Sequence, residues 1–320
     1  TGAATAPLGI GLSLSQAVTD TVYTSPAASL TAMCTAGDLI YVAASDQSIL
    51  KVDQAGIATT LTATTGYTAS RICADAAGNV YFYAATNMFV VVQADGTVVP
   101  VDTSSSSMAA VLVALGTSSP AFCATASGII GCAAVNSGGW TRYFFTITAA
   151  GVLTVTTATE AFFEPICVGG AGYCLSAESY GFCSLDLVTG AMATLQVPLE
   201  FYTGSGVAEM NRLCYGGGYF WAGTASPALY RLTPAGGVIL YDEVGVGASS
   251  GGTFPWAYNR GLLVHKVAVT NDVLTAFTPA FGLVLARLGT TGFAANVDLC
   301  TGSDGLLYAI SSAKLYRITL

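Results

Sequence analysis

An internal repeat constrains this chain more than any other feature. A phrase made of an apolar residue, Cys, a short Gly-bearing turn and an apolar or aromatic run occurs first as Met33-Cys34 with Gly37 before Leu39-Ile40-Tyr41-Val42. It returns as Ile72-Cys73 with Gly78 before Val80-Tyr81-Phe82, and then as Phe122-Cys123 with Gly128, Ile166-Cys167 with Gly172, Leu213-Cys214 with Gly218 and Leu299-Cys300 with Gly305. A seventh copy, Trp256-Ala257 with Gly261, has Ala in place of Cys. Successive anchors are 39, 50, 44, 47, 43 and 43 residues apart. Periods of about 40–50 residues mark propeller blades.

Within the units a second Gly-containing turn separates two more β-rich runs, as in Ile49-Leu50-Lys51-Val52-Asp53 before Gly56 and Phe89-Val90-Val91-Val92 before Asp95-Gly96. No segment holds a 3.6-residue apolar period over three turns, so each unit reads as four short antiparallel strands. The last unit ends at Leu320 after three strands, and a ring must close; Gly9 to Ser15 or Thr19 to Thr24 is free to supply the fourth. The expectation is one all-β domain over 1–320: a seven-bladed β-propeller of four-stranded antiparallel blades. Its ring is closed by an N-terminal strand joining the C-terminal blade. The expected divisions are a closing strand and lead-in at 1–29 and blades at about 30–63, 67–103, 108–159, 160–199, 204–244, 247–289 and 290–320.

Composition narrows the function classes. The chain is 53% hydrophobic and only 9% charged, against roughly a quarter charged in ordinary soluble domains. Ten basic residues against eighteen acidic ones form no basic patch, which argues against a nucleic-acid partner. Clean apolar runs such as Met108 to Leu115 are far short of the roughly 18 residues of a spanning helix, so no membrane span is expected. The start at Thr1-Gly2-Ala3-Ala4 suggests a processed chain.

The phrases Ile72-Cys73-Ala74-Asp75-Ala76-Ala77-Gly78-Asn79-Val80-Tyr81-Phe82 and Val92-Gln93-Ala94-Asp95-Gly96-Thr97-Val98 give the chain its resemblance to a known group. It resembles the NHL, SMP-30 (gluconolactonase-like) and streptogramin-lyase-like propellers, over most of its length but only in blade grammar. That group contains enzymes and pure interaction modules, so the resemblance implies a fold and leaves the function open.

The six repeated Cys read as small apolar core residues, since Ala257 occupies the same site in the seventh copy. Two further pairings follow from turn placement. A turn at Glu178-Ser179 sets Cys174 opposite Cys183, and a turn at Ser127-Gly128 sets Cys123 opposite Cys132, so both pairs are candidate disulfides. No CxxC pair exists and His265 is the only His, which speaks against a metal cluster. No cofactor is expected.

Candidate ligand contacts come from two places. Residues two positions before the anchors should ring the channel mouth, which selects Arg71, Arg212 and Asp298, a set able to grip a carboxylate or sugar or to plug the ring as an ion pair. The irregular connections add Asn136, Trp140 and Tyr202, since binding residues concentrate on loops of a rigid scaffold. His265 lies within a strand run and has no second His, which disfavours lyase-type chemistry. Glu164, Glu209, Asn211, Asn271, Asn296 and Asp298 are the oxygens available to a lactonase-type metal. The leading expectation is a non-catalytic extracellular binding or structural module, secreted or on a virion: a phage tail or spike component or a surface adhesin. It would recognise glycan or protein, with neighbouring subunits covering its charge-poor surface. The alternative is a secreted propeller enzyme of lactonase or hydrolase type with a metal at the channel mouth.

Overall fold

The computed structural model describes residues 18–26, 29–84, 88–101, 120–136, 140–199, 210–224, 229–241, 256–259, 262–267, 273–278, 283–289 and 298–319. They contain strands and turns and no helix. A first strand, β1 (Val18–Thr24), stands apart from the repeats. Blade 1 comprises β2 (Leu30–Ala36), β3 (Leu39–Ala44), β4 (Ile49–Val52) and β5 (Ala58–Thr62); blade 2 comprises β6 (Ala69–Ala74), β7 (Val80–Ala84), β8 (Met88–Val92) and β9 (Val98–Pro100). Blade 3 has β10 (Ala121–Thr125), β11 (Gly128–Asn136), β12 (Trp140–Thr148) and β13 (Leu153–Thr157); blade 4 has β14 (Phe162–Val168), β15 (Ala171–Ser176), β16 (Phe182–Leu185) and β17 (Met192–Gln196). Blade 5 is β18 (Met210–Gly216), β19 (Tyr219–Thr224), β20 (Leu229–Leu232) and β21 (Val238–Tyr241); blade 6 is β22 (Trp256–Asn259), β23 (Leu262–Val267), β24 (Val273–Thr278) and β25 (Leu283–Gly289). The chain ends with β26 (Asp298–Thr301), β27 (Leu307–Ser311) and β28 (Lys314–Thr319).

The expected count of seven blades is corrected by this topology. Six blades are built by the repeat, each an antiparallel meander of four consecutive strands. The remaining four-stranded sheet runs β1-β28-β27-β26 and is a junction between the two ends of the described chain, not a further repeat. Its physical reason is edge coverage: β28 would otherwise present an unpaired row of N–H and C=O groups, and β1 pairs with it from Val18↔Thr319 to Thr24↔Lys314.

First strands of successive sheets touch one another in a closed cycle, β2 to β6, β10, β14, β18, β22, β26 and back to β2, so they surround the axis. Burial follows from that stacking. Second strands are sandwiched by neighbours on both faces: every residue of β7 and β27 is buried, as are five of six in β3. Outermost strands such as β5 and β17 are half-exposed, which explains why they read as Thr-rich and Ala-rich runs. The core is accordingly a series of apolar layers between sheets. In the layer between blades 2 and 3, Phe89 meets Tyr83, Phe122 and Phe145 with ring centroids 5.1, 5.5 and 5.1 Å away.

The seam between the junction sheet and blade 1 is stitched by polar contacts as well as by the layer containing Met33, Val42, Tyr308 and Leu315. The Ser303 hydroxyl donates to Asp38 at 2.6 Å, and the Gln54 amide donates to Ser303 at 2.7 Å. The Ser25 and Leu30 amides donate to the carbonyls of Ala313 and Ser312. Closing a ring between chain ends orders the terminal strand, and these links offset part of that entropy.

The quoted blade phrases also acquire a physical meaning. In the first turn of blade 2, Asp75 Oδ1 accepts the amides of Ala77 and Asn79, while Oδ2 accepts the Asn79 side-chain amide at 2.9 Å and the Tyr81 hydroxyl at 2.8 Å. The junction sheet repeats the device, with Asp304 accepting the Leu306 amide and the Tyr308 hydroxyl at 2.7 Å. Each acid both fixes a turn and satisfies a buried phenol. Gly78, at φ +89°, completes the blade 2 turn in a conformation that L side chains avoid.

Two sequence expectations about cysteines need correction. Cys34, Cys73, Cys123, Cys214 and Cys300 stand at one register level, opposite Tyr41, Tyr81, Ile130, Trp221 and Tyr308, and Ala257 occupies it in blade 6. In blade 4 that level belongs to Ile166, opposite Tyr173; Cys167 is one residue later, on the other face. Pairing outward from the two-residue Gly169-Gly170 turn sets this phase: Val168 faces Ala171, Cys167 faces Gly172 and Ile166 faces Tyr173. The second correction concerns Cys123 and Cys132. The turn falls at Ala126-Ser127, so Cys123 faces Ile130 and Cys132 faces Ala121. Cys174 and Cys183 do face each other. All nine cysteines are free thiols in the structure.

Candidate functional site

Inner strands enter the ring from the connections between blades, so their first residues lie at one end of the channel. Registers place Ala32, Arg71, Ala121, Arg212 and Asp298 at a single level there, opposite Ala43, Tyr83, Cys132, Gly223 and Ile310. Bulges precede this level in blades 1, 2 and 5, between Leu30 and Ala32, Ala69 and Arg71, and Met210 and Arg212. Bulges interrupt the regular alternation of side chains, and here they do so at the start of these inner strands. In blades 1 and 2 the bulged residue caps a partner carbonyl: the Thr31 hydroxyl donates to Ala43 O at 3.3 Å and the Ser70 hydroxyl to Tyr83 O at 3.1 Å.

The phase shift in blade 4 brings an acid to this end. Sequence counting from Cys167 selects Pro165, whereas the register anchor Ile166 puts Glu164 two positions ahead. Glu164 sits within the bulge at φ +48°, a left-handed conformation uncommon for a non-Gly residue. Its carboxylate is near enough to Cys214 to add to that thiol's upward shift, which burial drives to about 12. The signal that could have found it was the pairing of Tyr173 with Ile166, by analogy with Tyr41, Tyr81 and Tyr308, rather than the Cys itself.

Arg71 and Asp298 have different surroundings. The Arg71 guanidinium carbon lies 5.4 Å from the centre of the Phe122 ring, on its face. Its charge reaches Cys73, Cys123 and Asp298, opposing the upward shift in each. Asp298 Oδ2 accepts the Met33 amide of blade 1 at 3.1 Å, and Oδ1 accepts its neighbour Leu299's amide at 3.0 Å. Burial raises the Asp298 carboxyl above its usual range, and these two amides and Arg71 pull it back in part. Among the described residues Arg71 and Asp298 make no ion pair, so they do not plug the ring as a salt bridge. Asp298 joins two inner strands, and Arg71 rests on an aromatic face.

Two of the remaining candidates lie at this same end. Asn136 and Trp140 form the last register pair of the β11–β12 hairpin, where the turns joining second and third strands lie, with side chains outside the described residues. The Arg212 side chain is likewise outside them, as are Tyr202, Glu209 and Asn271. His265 pairs with Trp256 in β23. Among the described residues no group of three His, Cys, Asp or Glu side chains is arranged to hold a metal ion.

No protein-family model matches the sequence, and no curated protein matches it. Solved structures do match over nearly the whole chain. A streptogramin B lyase structure superposes with a TM-score of 0.65 at 11% identity, covering 95% of this chain and 98% of that one. The WD40 β-propeller domain of Doa1 gives 0.57 at 12% identity, covering 94% and 96%, and YCF48 from Cyanidioschyzon merolae gives 0.56 at 9%, covering 94% and 98%. The chain is a β-propeller. At these identities the likeness is one of fold, in agreement with the resemblance seen in the blade phrases, and it carries no catalytic residue across.

Proposed function

We propose that this propeller is a non-catalytic binding module working outside the cell, and that the channel end carrying Arg71, Glu164, Arg212 and Asp298 recognises an acidic group on a glycan or protein. The observation that carries the reading is the concentration of charge. A chain with only 28 charged residues in 320 directs four of them to the starts of its inner strands. One of these, Arg71, is stacked on Phe122 with no carboxylate at ion-pair distance among the described residues. An arginine placed over an aromatic ring can still present its N–H fork to a ligand carboxylate. Asp298 is committed to backbone amides, which suits a structural part better than proton transfer.

The opposite end of the ring supports a second contact, with neighbouring subunits of a surface or virion assembly. Ile57, Val152 and Val188 project from the turns joining third and fourth strands with exposures of 63, 59 and 83%. The alternative is a secreted propeller enzyme of lactonase or hydrolase type, a fold class that the lyase neighbour also represents.

One experiment separates the readings. The protein and its Arg71→Ala variant are applied to an array of neutral and carboxylated glycans, and the same samples are assayed for lactone hydrolysis with and without added Ca²⁺ or Mg²⁺. Retention on carboxylated glycans that falls at least tenfold in the variant supports the binding reading. Metal-dependent hydrolysis without glycan retention overturns it in favour of the enzyme.

A further inference from the structure

We propose that Cys174 and Cys183 form a cross-strand disulfide clasp in blade 4 when the chain folds in the presence of a small-molecule disulfide. The two residues face each other directly in the β15–β16 ladder. The Ser176 amide donates to Gly181 O at 2.9 Å, two residues beyond, so Cys174 and Cys183 are a hydrogen-bonded pair of the same phase. Cα atoms of such a pair stand about 5.5 Å apart, inside the span a disulfide bridges. Both side chains enter the same buried layer between blades 3 and 4, with Cys132 in it and Cys123 packed against it. The Met192 sulfur lies 3.4 Å from Cys174 Sγ, and the Cys183 thiol has only weak partners, Gly181 O at 3.6 Å and Thr194 Oγ1 at 3.9 Å. No strong hydrogen bond opposes rotation of either sulfur toward the other.

The step balances as an exchange. The Cys174 and Cys183 thiols lose two protons and two electrons, the S–S bond forms between them, and one small-molecule disulfide is cleaved to two thiols. Timing follows from burial: both residues are fully enclosed in the folded blade, so the bond is set while blade 4 docks on blade 3 and resists reagents afterwards. Cys123 and Cys132 share the layer but are offset by two residues in their own hairpin, which makes the Cys174–Cys183 pair the preferred one.

The test is to unfold the reduced protein, refold it in a glutathione redox buffer, block remaining thiols with N-ethylmaleimide and map the linked peptides. The expected product carries one Cys174–Cys183 link and melts about 5 °C higher than the same protein refolded under reduction, a difference that disappears in Cys174→Ala. A folded oxidised sample with nine blocked thiols overturns the proposal, as does a link joining any other pair. The wild-type peptide map decides the matter even if Cys174→Ala folds poorly. Glycan retention is a separate readout, so failure of the ligand reading leaves this result unaffected.

Discussion

The Asp75–Tyr81 contact allows a stability prediction to be worked from the geometry. Tyr81 is 1% exposed, and its hydroxyl donates to Asp75 Oδ2 at 2.8 Å. Tyr81→Phe removes one hydrogen bond to a charged acceptor and leaves Asp75 with the Asn79 side-chain amide and two backbone amides, so the loss should be about 1.5–3 kcal/mol. Asp75→Ala removes all four bonds and also orphans the buried phenol; the turn amides regain water, and the loss should be about 3–5 kcal/mol. The double variant should cost less than the two single losses added, by about 1–2 kcal/mol, because the phenol–carboxylate bond is counted in both. Urea unfolding with unchanged m-values is the assay. The phenol also predicts a pH effect. Burial, then the hydrogen bond and charge of Asp75, raise the Tyr81 pKa above the ordinary phenol value of about 10. The folded chain therefore keeps this proton where the unfolded chain releases it. The associated stability is complete below about pH 10 and is lost as pH rises through the folded value, so the wild type should fall more steeply than Tyr81→Phe above pH 10. Strict additivity in the cycle, or a Tyr81→Phe cost under about 0.5 kcal/mol, would refute the claim that the acid serves the phenol.

Other parts of the structure give shorter tests. Asp298 has a folded pKa raised from 3.8, chiefly by burial, so the native state is penalised once the carboxyl ionises. The stability of Asp298→Asn relative to wild type should therefore shift in the variant's favour as pH rises from below 4 through the raised value, and a pH-independent difference in urea midpoints would contradict the burial argument. Deleting residues 1–24 should unpair β28, lower the melting temperature and produce oligomers in light scattering; a monomer with an unchanged melt would show that β1 is not needed for closure. At the inner-strand level, Cys73→Ala should cost less than about 1.5 kcal/mol and Cys73→Ser more, because a hydroxyl placed there lacks a partner, and the reverse order in denaturant titration would assign the thiol a polar role.

The repeat made the architecture legible because each copy couples a local turn signal to a sandwiched second strand, and both are written in nearest-neighbour chemistry. Gly78 and Asp75 specify a turn, and Val80-Tyr81-Phe82 specifies a strand buried on both faces. What failed was phase. Cys167 has the right neighbour and the right spacing, yet pairing from the Gly169-Gly170 turn leaves it one residue out of step, a property of pairing between strands that no single strand displays. A one-residue error in the turn at Ala126-Ser127 likewise turned a direct Cys123–Cys132 pair into a diagonal one. The channel end was legible through Arg71 and Asp298, which have correctly phased cysteines two residues on, while Glu164 was assigned only as a spare oxygen because its anchor was the misphased one. Closure by an N-terminal strand was legible from the three strands left at the C-terminal end, and β1 pairs with β28 as expected; the count of seven was not, because β26 to β28 repeat in sequence without forming a sheet of four consecutive strands.

The same distinction separates the two sources of the chain's apolarity. Stacked sheets require apolar second strands on both faces, so β3, β7 and β27 would be apolar in a propeller of any function. Turns are under no such demand, and an exposed Val188 at the tip of blade 4 or Ile57 at that of blade 1 has no part in the core. Selection for solubility alone would favour charge at these tips. Under the assembly reading proposed above, these tips are where a neighbouring subunit would make contact. Asp substitutions at Ile57, Val152 and Val188 together should leave the melting temperature within about 2 °C while abolishing any concentration-dependent association seen by sedimentation. Association that survives the triple variant, or no association in the wild type, would refute the contact proposed for these tips.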